Sequence, residues 1–520
     1  MTWQKEIDEL RHRQTLAKQM GGAEGIARQH AQGRLTIRER IHLLLDKDSF
    51  KEIGSVAGYA EYDDKGELKS FTHIPTVMGH GTINGRPVCV EGGDFTIRGG
   101  AADPRFAQMR DFSAEKMALD RRTPIVRLLD QAGGSVRGID AMQRTYCLGG
   151  PAAMADVSLL LMARVPVVSA CLGSVAGAPP VTAAISHWNI MTKNTSELCV
   201  AGPPLIKQAL GIDITKQKLG NWRVHACQSG VVDNVAEDEE DAFRQIRSFL
   251  SYLPQNVWHQ PPRVETGDDP NRRDEELLSI IPKDRRKQYD IRQLIKHIVD
   301  KDSMFELAPF YGRSVVTLLA RMDGYPVALM SNDCKWFGGA ETAEGCEKMT
   351  RFVDFADTFH LPIIYLVDVP GFMLGPESEK AGIERKSARL ACAIAQLTVP
   401  GIPIILKRSY GVAGGIHCVS RLHLRYAWPS GEWGSLPIEG GVMAAYRREI
   451  EAAPDPQAWR IEIENRLAQL RSPFRTAEVF SVEEIIDPRD TRPLLCEFVR
   501  GAQEITATQL GPKSREGIRP

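Results

Sequence analysis

The sequence contains two copies of one pattern, and this internal repeat constrains the fold more than any other feature. Residues 81–101 (GTINGRPVCVEGGDFTIRGGA) align without a gap over residues 320–340 (ARMDGYPVALMSNDCKWFGGA), 239 positions later. Residues 124–133 (PIVRLLDQAG) align over residues 362–371 (PIIYLVDVPG) at an offset of 238. Matches in the same order at a nearly constant offset predict a chain built from two copies of one domain.

A third matching segment ends in a glycine-rich turn in each half. Residues 166–178 (PVVSACLGSVAGA) match the segment PIILKRSYGVAGGI, residues 403–416, at an offset of 237. Glycine lets backbone N–H groups approach a ligand closely, and such turns can hold an oxygen that becomes negatively charged. We name residues 174–178 the first cradle and residues 409–415 the second cradle. We expect each cradle to hold one oxyanion; the alternative is a tight turn that needs small residues only for packing.

Predicted strands and helices alternate in both halves, which indicates an α/β protein. The first half has predicted helices over 3–45, 105–121 and 139–163, a strand pair over 74–95 with its turn at Asn84-Gly85, and strands over 124–130 and 165–172. The second half has predicted helices over 291–300, 345–359 and 383–397, and strands over 314–332, 362–369 and 403–408. Residues 254–290 are rich in Pro, Asp and Arg and are predicted to be a linker.

Composition describes an ordinary globular protein of 520 residues. A formal net charge of −1 gives no indication of a nucleic-acid partner or of an acidic membrane surface. The ten cysteines are scattered and form no C-x-x-C pair, which argues against a zinc site and favours a reducing, cytoplasmic location. The charged N-terminus argues against a secretory signal, and no apolar run approaches the ~20 residues of a membrane span.

The side chains form no recognisable catalytic set. The sequence has no G-x-x-x-x-G-K-[ST] nucleotide loop and no H-E-x-x-H or similar cluster for a metal. Candidate nucleophiles and bases exist near the cradles, but they assemble into no triad: Ser174, His187, Ser435 and His417. Asp130 and Asp368 end matched strands and are interpreted as turn anchors. The sequence therefore predicts a site made mainly of backbone donors.

Further motifs follow one another along nearly the whole chain. They are GRLTIRERIHLLLDKDSF (33–50), DFTIRGGA (94–101), LPIIYLVDVPGF (361–372), SYGVAGG (409–415), YAWP (426–429) and EIIDPRDTR (484–492). In these motifs the chain resembles the carboxyltransferase (β) subunits of biotin-dependent acyl-CoA carboxylases, of the propionyl-CoA and methylcrotonyl-CoA carboxylase type. The resemblance implies two tandem crotonase-like domains of the ClpP/crotonase superfamily. Residues 1–258 would form the acyl-CoA side and residues 259–520 the carboxybiotin side.

The resemblance also implies an activity. A carboxyl group would pass from carboxybiotin to the α (or vinylogous) carbon of an acyl-CoA, through an enolate held by backbone amides. No Ala-Met-Lys-Met biotinylation motif is present, so the biotin would arrive on a separate carrier, with a biotin carboxylase as a further partner. The family's members are typically hexamers, with the active site between the first domain of one subunit and the second domain of another.

Site residues follow from the same resemblance. Gly177 and Ala178 would hold the thioester oxygen. For the biotin oxygen two assignments stay open: alignment through the tyrosine that begins the second turn gives Gly411 and Val412, whereas the internal repeat gives Gly414 and Gly415. Further residues are expected around the two ligands: Ala176, Gly133, Gly134, Tyr410, Ala413, Gly371 and Phe372. No metal ligand is expected.

Three stretches of the first half depart from the family's pattern. Residues 131–135 (QAGGS) stand where Ser-Gly-Gly-Ala-Arg is usual, residues 176–179 (AGAP) replace Ala-Gly-Gly-Ala, and residues 219–222 (LGNW) replace Leu-Gly-Gly-Ala. Pro179 has no N–H to donate. These departures leave the acyl group open. The alternatives are a biotin-dependent decarboxylase component, a crotonase-type hydratase or isomerase, and a non-catalytic scaffold with the same fold.

Overall fold

In a computed structural model the structure describes residues 2–101, 113–134, 136, 139–140, 143–145, 151–417 and 424–514. The chain forms two compact units, Met1–Trp258 and His259–Pro520. Parts of the helices predicted over 105–121 and 139–163 lie outside the described residues. Within the described ranges, no helix combines the length and the apolar character that crossing a membrane requires.

The first unit consists of strands that alternate with helices. Its described helices are α1 (Gln4–Ala17), α2 (Gly22–Ala31), α3 (Ile37–Leu44), α4 (Ala114–Arg121), α5 (Pro151–Met162), α6 (Pro179–Ala184), α7 (Pro203–Leu210), α8 (Lys216–Gly220), α9 (Trp222–Cys227) and α10 (Glu239–Ser251). Its strands are β1 (Lys51–Ile53), β2 (Gly58–Tyr62), β3 (Leu68–His73), β4 (Thr76–Ile83), β5 (Arg86–Gly93), β6 (Ile125–Gln131), β7 (Val167–Ala176), β8 (Trp188–Thr192), β9 (Glu197–Cys199) and β10 (Asn234–Ala236).

Eight of these strands form one mixed sheet in the order β1-β4-β5-β6-β7-β8-β10, and β9 also pairs with β7. The pairs β1–β4 and β4–β5 are antiparallel, and the pairs from β5 to β10 are parallel. Nearly every residue of β6 and β7 is buried. This burial accounts for the largely apolar sequence of both strands, because central parallel strands are covered on both faces.

The second unit repeats this arrangement. Its described helices are α11 (Ile291–Ile298), α12 (Ala343–Thr358), α13 (Pro376–Lys380), α14 (Ile383–Ala395), α15 (Gly411–His417), α16 (Ile438–Ala445), α17 (Arg447–Ala452), α18 (Pro456–Ala468), α19 (Pro473–Ala477) and α20 (Thr491–Ala507). Its strands are β11 (Phe305–Leu307), β12 (Val315–Met322), β13 (Tyr325–Asn332), β14 (Ile363–Val369), β15 (Gly401–Tyr410), β16 (Tyr426–Ala427), β17 (Glu432–Gly434) and β18 (Glu484–Ile485).

The two large sheets have the same topology. The order in the second sheet is β11-β12-β13-β14-β15-β16-β18, with β17 paired to β15, so each strand has a counterpart in the first sheet. The aligned DFTIRGGA segment and its later copy form matching 3-10 turns, Arg98–Gly100 and Phe337–Gly339, in which Gly99 and Gly338 have φ of 66° and 64°. These correspondences confirm the predicted α/β class and the predicted duplication.

The strand register corrects the third match of the repeat. Ile125 of β6 pairs with Val167 of β7, and its counterpart Ile363 of β14 pairs with Gly401 of β15. Val167 and Gly401 are 234 positions apart, whereas the sequence match used 237. The shared Val-Ala-Gly letters therefore lie three residues out of register, because small residues occur at several neighbouring positions of both turns.

Two other predictions were wrong in part. The helix predicted over 3–45 is three helices, and α3 begins with a capping box, in which the Thr36 side chain and the Glu39 side chain each accept a hydrogen bond from the other's backbone N–H. The predicted linker over 254–290 contains no long helix or strand, but it packs on the second unit through buried Leu277 and Tyr289. Its Asp and Arg residues form ion pairs such as Arg272 with Asp268, so a polar composition did not mean a loose segment.

Candidate active site

The first cradle lies at the end of β7, where two glycine backbones touch. Gly177 has a φ of +84°, a conformation that strongly favours glycine. A Cβ added there would lie 2.8 Å from the Gly133 Cα, and a Cβ on Gly133 would lie 3.2 Å from the Ala176 carbonyl oxygen. The structure thus brings Gly133, Ala176, Gly177 and Ala178 together, with exposed Gly134 next along the chain.

The N–H of Gly177 is already engaged in this arrangement. It donates to the carbonyl oxygens of Cys199 and Val200, both at 3.2 Å, and so continues the pairing of β7 with β9. The N–H of Ala178 makes no hydrogen bond with any described residue. Of the two amides expected to face the thioester oxygen, that of Ala178 has no partner among the described residues, whereas that of Gly177 is engaged within the sheet.

The second cradle lies at the end of β15, and α15 starts within it. Tyr410, the last residue of β15, is buried, and this burial raises the pKa of its hydroxyl to about 12. Gly411 has a φ of +63°, and the Val412 side chain is 71% exposed. Ala413 is buried. Most of the second cradle, Gly411 to Gly415, therefore belongs to the start of a helix.

Strand pairing shows which residues of the cradles correspond. Ala176 pairs with Cys199 at the end of β7, and Tyr410 pairs with Gly434 at the end of β15. Gly177 then corresponds to Gly411, and both have a positive φ. Ala178 corresponds in turn to Val412.

Gly414 and Gly415 lie farther along α15 than these corresponding positions. A Cβ on Gly414 would lie 2.7 Å from the Ser409 hydroxyl oxygen, so this glycine allows the helix to pack on its own strand. Their N–H groups fall at helical positions that bond to the preceding turn. Gly411 and Val412, one of the two assignments left open by the sequence, are the first two residues of α15.

A buried aspartate anchors each cradle strand, as the sequence suggested. Asp130 accepts hydrogen bonds from Arg40 (3.0 Å), from Gln29 (2.7 Å) and from the N–H of Ser174 (3.0 Å). The β6–β7 pairing shifts register at this aspartate, between residues 129 and 131. The carboxylate therefore stabilises an irregular strand end and does not face a ligand.

Asp368 has the same place in the second sheet but uses different partners. It accepts hydrogen bonds from Arg408 Nε (2.6 Å) and from the Tyr289 hydroxyl (3.0 Å). Burial and the neighbouring carboxylate raise the pKa of Tyr289 well above its usual value. The sequence did not reveal Arg40 or Arg408 as counter-ions, because nothing in their motifs shows which carboxylate each one meets.

The candidate nucleophile Ser174 belongs to a polar cluster. Its Oγ donates to Glu197 (2.7 Å) and accepts from Lys216 Nζ (3.0 Å) and from Arg34 (3.3 Å). The ring of His187 instead bonds the backbone of β7 and α5: the N–H of Val167 donates to Nδ1 at 3.0 Å, and Nε2 donates to the Met162 oxygen at 2.8 Å. Ser174 and His187 therefore do not form a catalytic pair.

Another buried network holds α6, the helix that follows the first cradle. Arg127 donates to the carbonyl oxygens of Thr182 (3.0 Å) and Ile185 (2.7 Å) at the end of this helix, and it pairs with Glu115. Glu91 faces this network, and burial followed by the charge of Glu115 raises the pKa of Glu91 to about 7.

The loop that carries Gly371 and Phe372 lies beside Glu341. Phe372 forms an isolated bridge with Glu341, and the Glu341 side chain accepts a hydrogen bond from His417 at the end of α15. His417 is thus bonded inside the unit and is not a free base. No motif or repeat in the sequence marks Glu341, because it lies one position after the repeated Gly-Gly-Ala.

One group of possible metal ligands exists among the described residues. Asp274, Glu276 and His297 place ligand atoms within 4.8 Å of one another. Asp274 pairs with Arg272 and accepts a hydrogen bond from His297 at 3.0 Å. These bonds account for the group as an ion-pair cluster.

Comparison with known families identifies the protein family in which a chain with two such cradles belongs. The carboxyl transferase domain family matches residues 28–515, almost the whole chain. The chain belongs to this family. This membership confirms the resemblance seen in the sequence motifs, and the protein is an enzyme of the biotin-dependent acyl-CoA carboxyltransferase type.

Relatives of this carboxyltransferase span both directions of the reaction. The carboxyltransferase subunit of propionyl-CoA carboxylase from Haloferax mediterranei is 35% identical over 503 residues, which cover 96% of each chain. The alpha subunit of methylmalonyl-CoA decarboxylase from Veillonella parvula is 32% identical over 495 residues, covering 95% of this chain and 94% of the relative.

A solved structure covers the carboxyltransferase completely. Transcarboxylase 12S, crystallised as a hexamer with methylmalonyl-coenzyme A and methylmalonic acid bound, is 32% identical. It superposes with a TM-score of 0.87 over 100% of this chain and 99% of that one. This likeness confirms the predicted fold of two crotonase-like domains related by internal duplication.

Proposed function

We propose that this carboxyltransferase moves a carboxyl group between carboxybiotin on a separate carrier protein and the α (or vinylogous) carbon of an acyl-CoA. We assign residues 1–258 to the acyl-CoA and residues 259–520 to carboxybiotin. The observation that carries the proposal is the pair of cradles: each sheet ends its central strand in a glycine of positive φ, followed by an amide at the start of a helix.

In the first cradle the proposed donor is the N–H of Ala178. Removing a proton from the carbon next to a thioester leaves negative charge on the thioester oxygen. A preorganised amide aimed at that oxygen stabilises the charge by ~3 kcal/mol. The contact between Gly177 and Gly133 fixes where this amide points, and the two prolines after Ala178 provide no competing N–H.

In the second cradle the proposed donors are the N–H groups of Gly411 and Val412. When bound, carboxybiotin supplies the carboxyl group, and its urea oxygen gains negative charge as that group leaves. The residues present fit such a group: the Val412 side chain is exposed, and no described residue outside α15 lies within 4 Å of a Cβ added at Gly415. Tyr410 and Ala413 would set the cradle's floor, since both are buried.

No protein side chain is assigned as the base. Among the described residues, no carboxylate or imidazole hydrogen-bonds the amides of Ala178, Gly411 or Val412. The candidate bases near the cradles are occupied by Glu197, Glu341 and backbone groups. We therefore propose that this chain binds and orients the two reactants and stabilises the negative charge that develops on their oxygens.

Partners follow from the relatives. We propose a homohexamer, as in transcarboxylase 12S, together with a biotin carboxylase and a biotin carrier. We also propose a cytoplasmic location, since no disulfide joins the cysteines among the described residues.

A transfer assay tests the function. The purified chain is given methylmalonyl-CoA with biocytin as acceptor, and loss of the carboxyl group is followed by chromatography of the CoA products. The variant Val412→Pro deletes one proposed donor in the first turn of a helix, where proline is tolerated. Its matched control is Val412→Ala, which keeps the N–H.

We expect kcat of Val412→Pro to be about 100- to 1,000-fold below that of Val412→Ala, because an oxyanion donor contributes that much. Equal rates for the two variants would remove the second cradle from the mechanism. No transfer by the wild-type chain with any member of an acyl-CoA panel would reject the proposed function.

A second candidate is the decarboxylase direction, which the Veillonella parvula relative favours. Bicarbonate labelled with 14C, supplied with ATP, the biotin carboxylase and the carrier, separates the two. Label in an acyl-CoA supports carboxylation, whereas carboxyl loss without fixation supports decarboxylation.

A further inference from the structure

We infer that Glu341 and His417 form a positioning pair that joins the second cradle to the loop of residues 371–373. The inference deepens the proposed function and rests on it. His417 is the last residue of α15, the helix that begins at the second cradle. Its Nε2 donates a hydrogen bond to the carboxylate of Glu341, and the two residues are 4% and 0% exposed.

Glu341 contacts the loop through its backbone. Its N–H donates to the Gly371 oxygen at 3.1 Å, and its own oxygen accepts from the N–H of Met373 at 2.8 Å. Phe372 lies between these two bonds and bridges to the same residue. One residue therefore binds the loop by its main chain and the cradle helix by its side chain, so the two segments are held at a fixed distance.

The side-chain bond is the only one that the Glu341 carboxylate makes with described residues. Its Oε2 has no partner there, and neither does the hydroxyl of Tyr365, which lies beside His417 with ring centroids 6.3 Å apart. A buried carboxyl oxygen without a hydrogen-bond partner is a costly arrangement. Apolar side chains of similar volume would stabilise the fold equally well. The geometry therefore points to a role of this pair in positioning the cradle helix and the loop.

The first unit provides independent support. Arg127 on β6 and Tyr365 on β14 occupy corresponding strand positions. Arg127 pairs with Glu91 on β5, and Tyr365 pairs with Met330, the counterpart of Glu91, on β13. Arg127 holds the end of α6 through its carbonyl oxygens. Both helices that follow a cradle are thus held beyond their first turn, the first by an arginine and the second by the Glu341–His417 pair.

Amide hydrogen exchange on the full-length protein tests the pair directly. In the wild type under increasing denaturant, residues 371–373 and 411–417 should open together with one midpoint. In His417→Leu, exchange in both segments should rise together, while residues 176–178 of the first cradle stay unchanged. The control is Tyr365→Phe, which removes a hydroxyl without a partner beside the same ring and should alter neither segment.

Kinetics separate positioning from general stability. In transfer from methylmalonyl-CoA to biocytin, His417→Leu should lower kcat/KM for biocytin by about tenfold to a hundredfold, because small misplacements at a reacting site cost that much. The KM for methylmalonyl-CoA should stay that of the wild type. His417→Gln keeps a donor for Glu341 and should restore most of the loss.

Independent opening of the two segments in the wild type would overturn the inference, and this measurement needs no variant to fold. An equal loss for both substrates in His417→Leu, or no rescue by His417→Gln, would also overturn it. If the wild type transfers no carboxyl group at all, the proposed function fails, and the exchange experiment still decides whether the pair couples the segments.

Discussion

The contact between Gly133 and Gly177 makes a quantitative prediction for Gly177→Ala. The new Cβ would lie 2.8 Å from the Gly133 Cα and 3.3 Å from its N, and both are backbone atoms that cannot rotate away. Overpacking of this kind costs about 1–3 kcal/mol. The φ of +84° adds about 1–2 kcal/mol for any residue with a Cβ. We therefore expect a loss of about 2–5 kcal/mol in unfolding free energy.

Gly211→Ala is the matched control for this prediction. Gly211 follows α7 with a φ of +72°, and no described residue other than its chain neighbours lies within 4 Å of its added Cβ, so only the conformational cost of about 1–2 kcal/mol remains. The difference between the two variants in denaturant unfolding isolates the contact with Gly133.

Activity gives the second measurement. If Ala178 is displaced with Gly177, transfer from methylmalonyl-CoA should fall on the order of 100-fold in Gly177→Ala, because a donor outside hydrogen-bond range no longer stabilises the oxyanion. Gly211→Ala lies outside both cradles and should transfer at the wild-type rate. The reasoning is refuted if Gly177→Ala is as stable as Gly211→Ala and equally active.

Three further predictions concern stability. Arg40→Met should lower the unfolding free energy by at least ~3–5 kcal/mol, because Arg40 pairs with two buried carboxylates, Asp130 and Glu239. Arg408→Met should cost less, because Arg408 pairs with one carboxylate. Equal losses of stability for the two variants in thermal unfolding would contradict this prediction. The pKa of Glu91 is raised from about 4.5 to about 7, so the folded state holds a proton that the unfolded state has lost, and stability should fall as pH rises through this window. Glu91→Gln should flatten the fall in melting temperature between those pH values, and an unchanged slope would exclude Glu91 as its source. Thr36→Ala removes the capping box of α3 and should cost ~1 kcal/mol without changing transfer rates, whereas a change in kcat would show that α3 acts on the site.

The duplicated strands were predictable from sequence because their apolar runs and flanking glycines recur at a nearly constant offset. Asn84-Gly85 between two apolar runs gave the β4–β5 hairpin for the same reason. The register of the cradles was not predictable to the residue. Ala176 and Tyr410 end their strands at corresponding positions but share no chemical character, so the letters favoured the Val-Ala-Gly match three residues farther on.

The arginines that pair with interior carboxylates were not predictable from the sequence. Arg40, Arg127 and Arg408 look like ordinary surface residues in sequence, and only the fold shows that each meets a carboxylate in the interior. Glu341 and His417 are 76 positions apart and give no periodic signal. Long-range polar pairs of this kind depend on which strands become neighbours, and this is decided by the packing of the whole unit.

The anchoring aspartates have a consequence for how the two halves tolerate trimming. Asp368 pairs with Arg408 on the adjoining strand and accepts a hydrogen bond from Tyr289. A truncation on the N-terminal side of Tyr289 therefore leaves both partners of Asp368 in place. Asp130 depends on Arg40 and Gln29, which belong to the opening helices. Deleting α2 and α3 would leave the Asp130 carboxylate without these partners in the middle of the first sheet. These two helices are therefore an interior part of the first unit and not a removable extension.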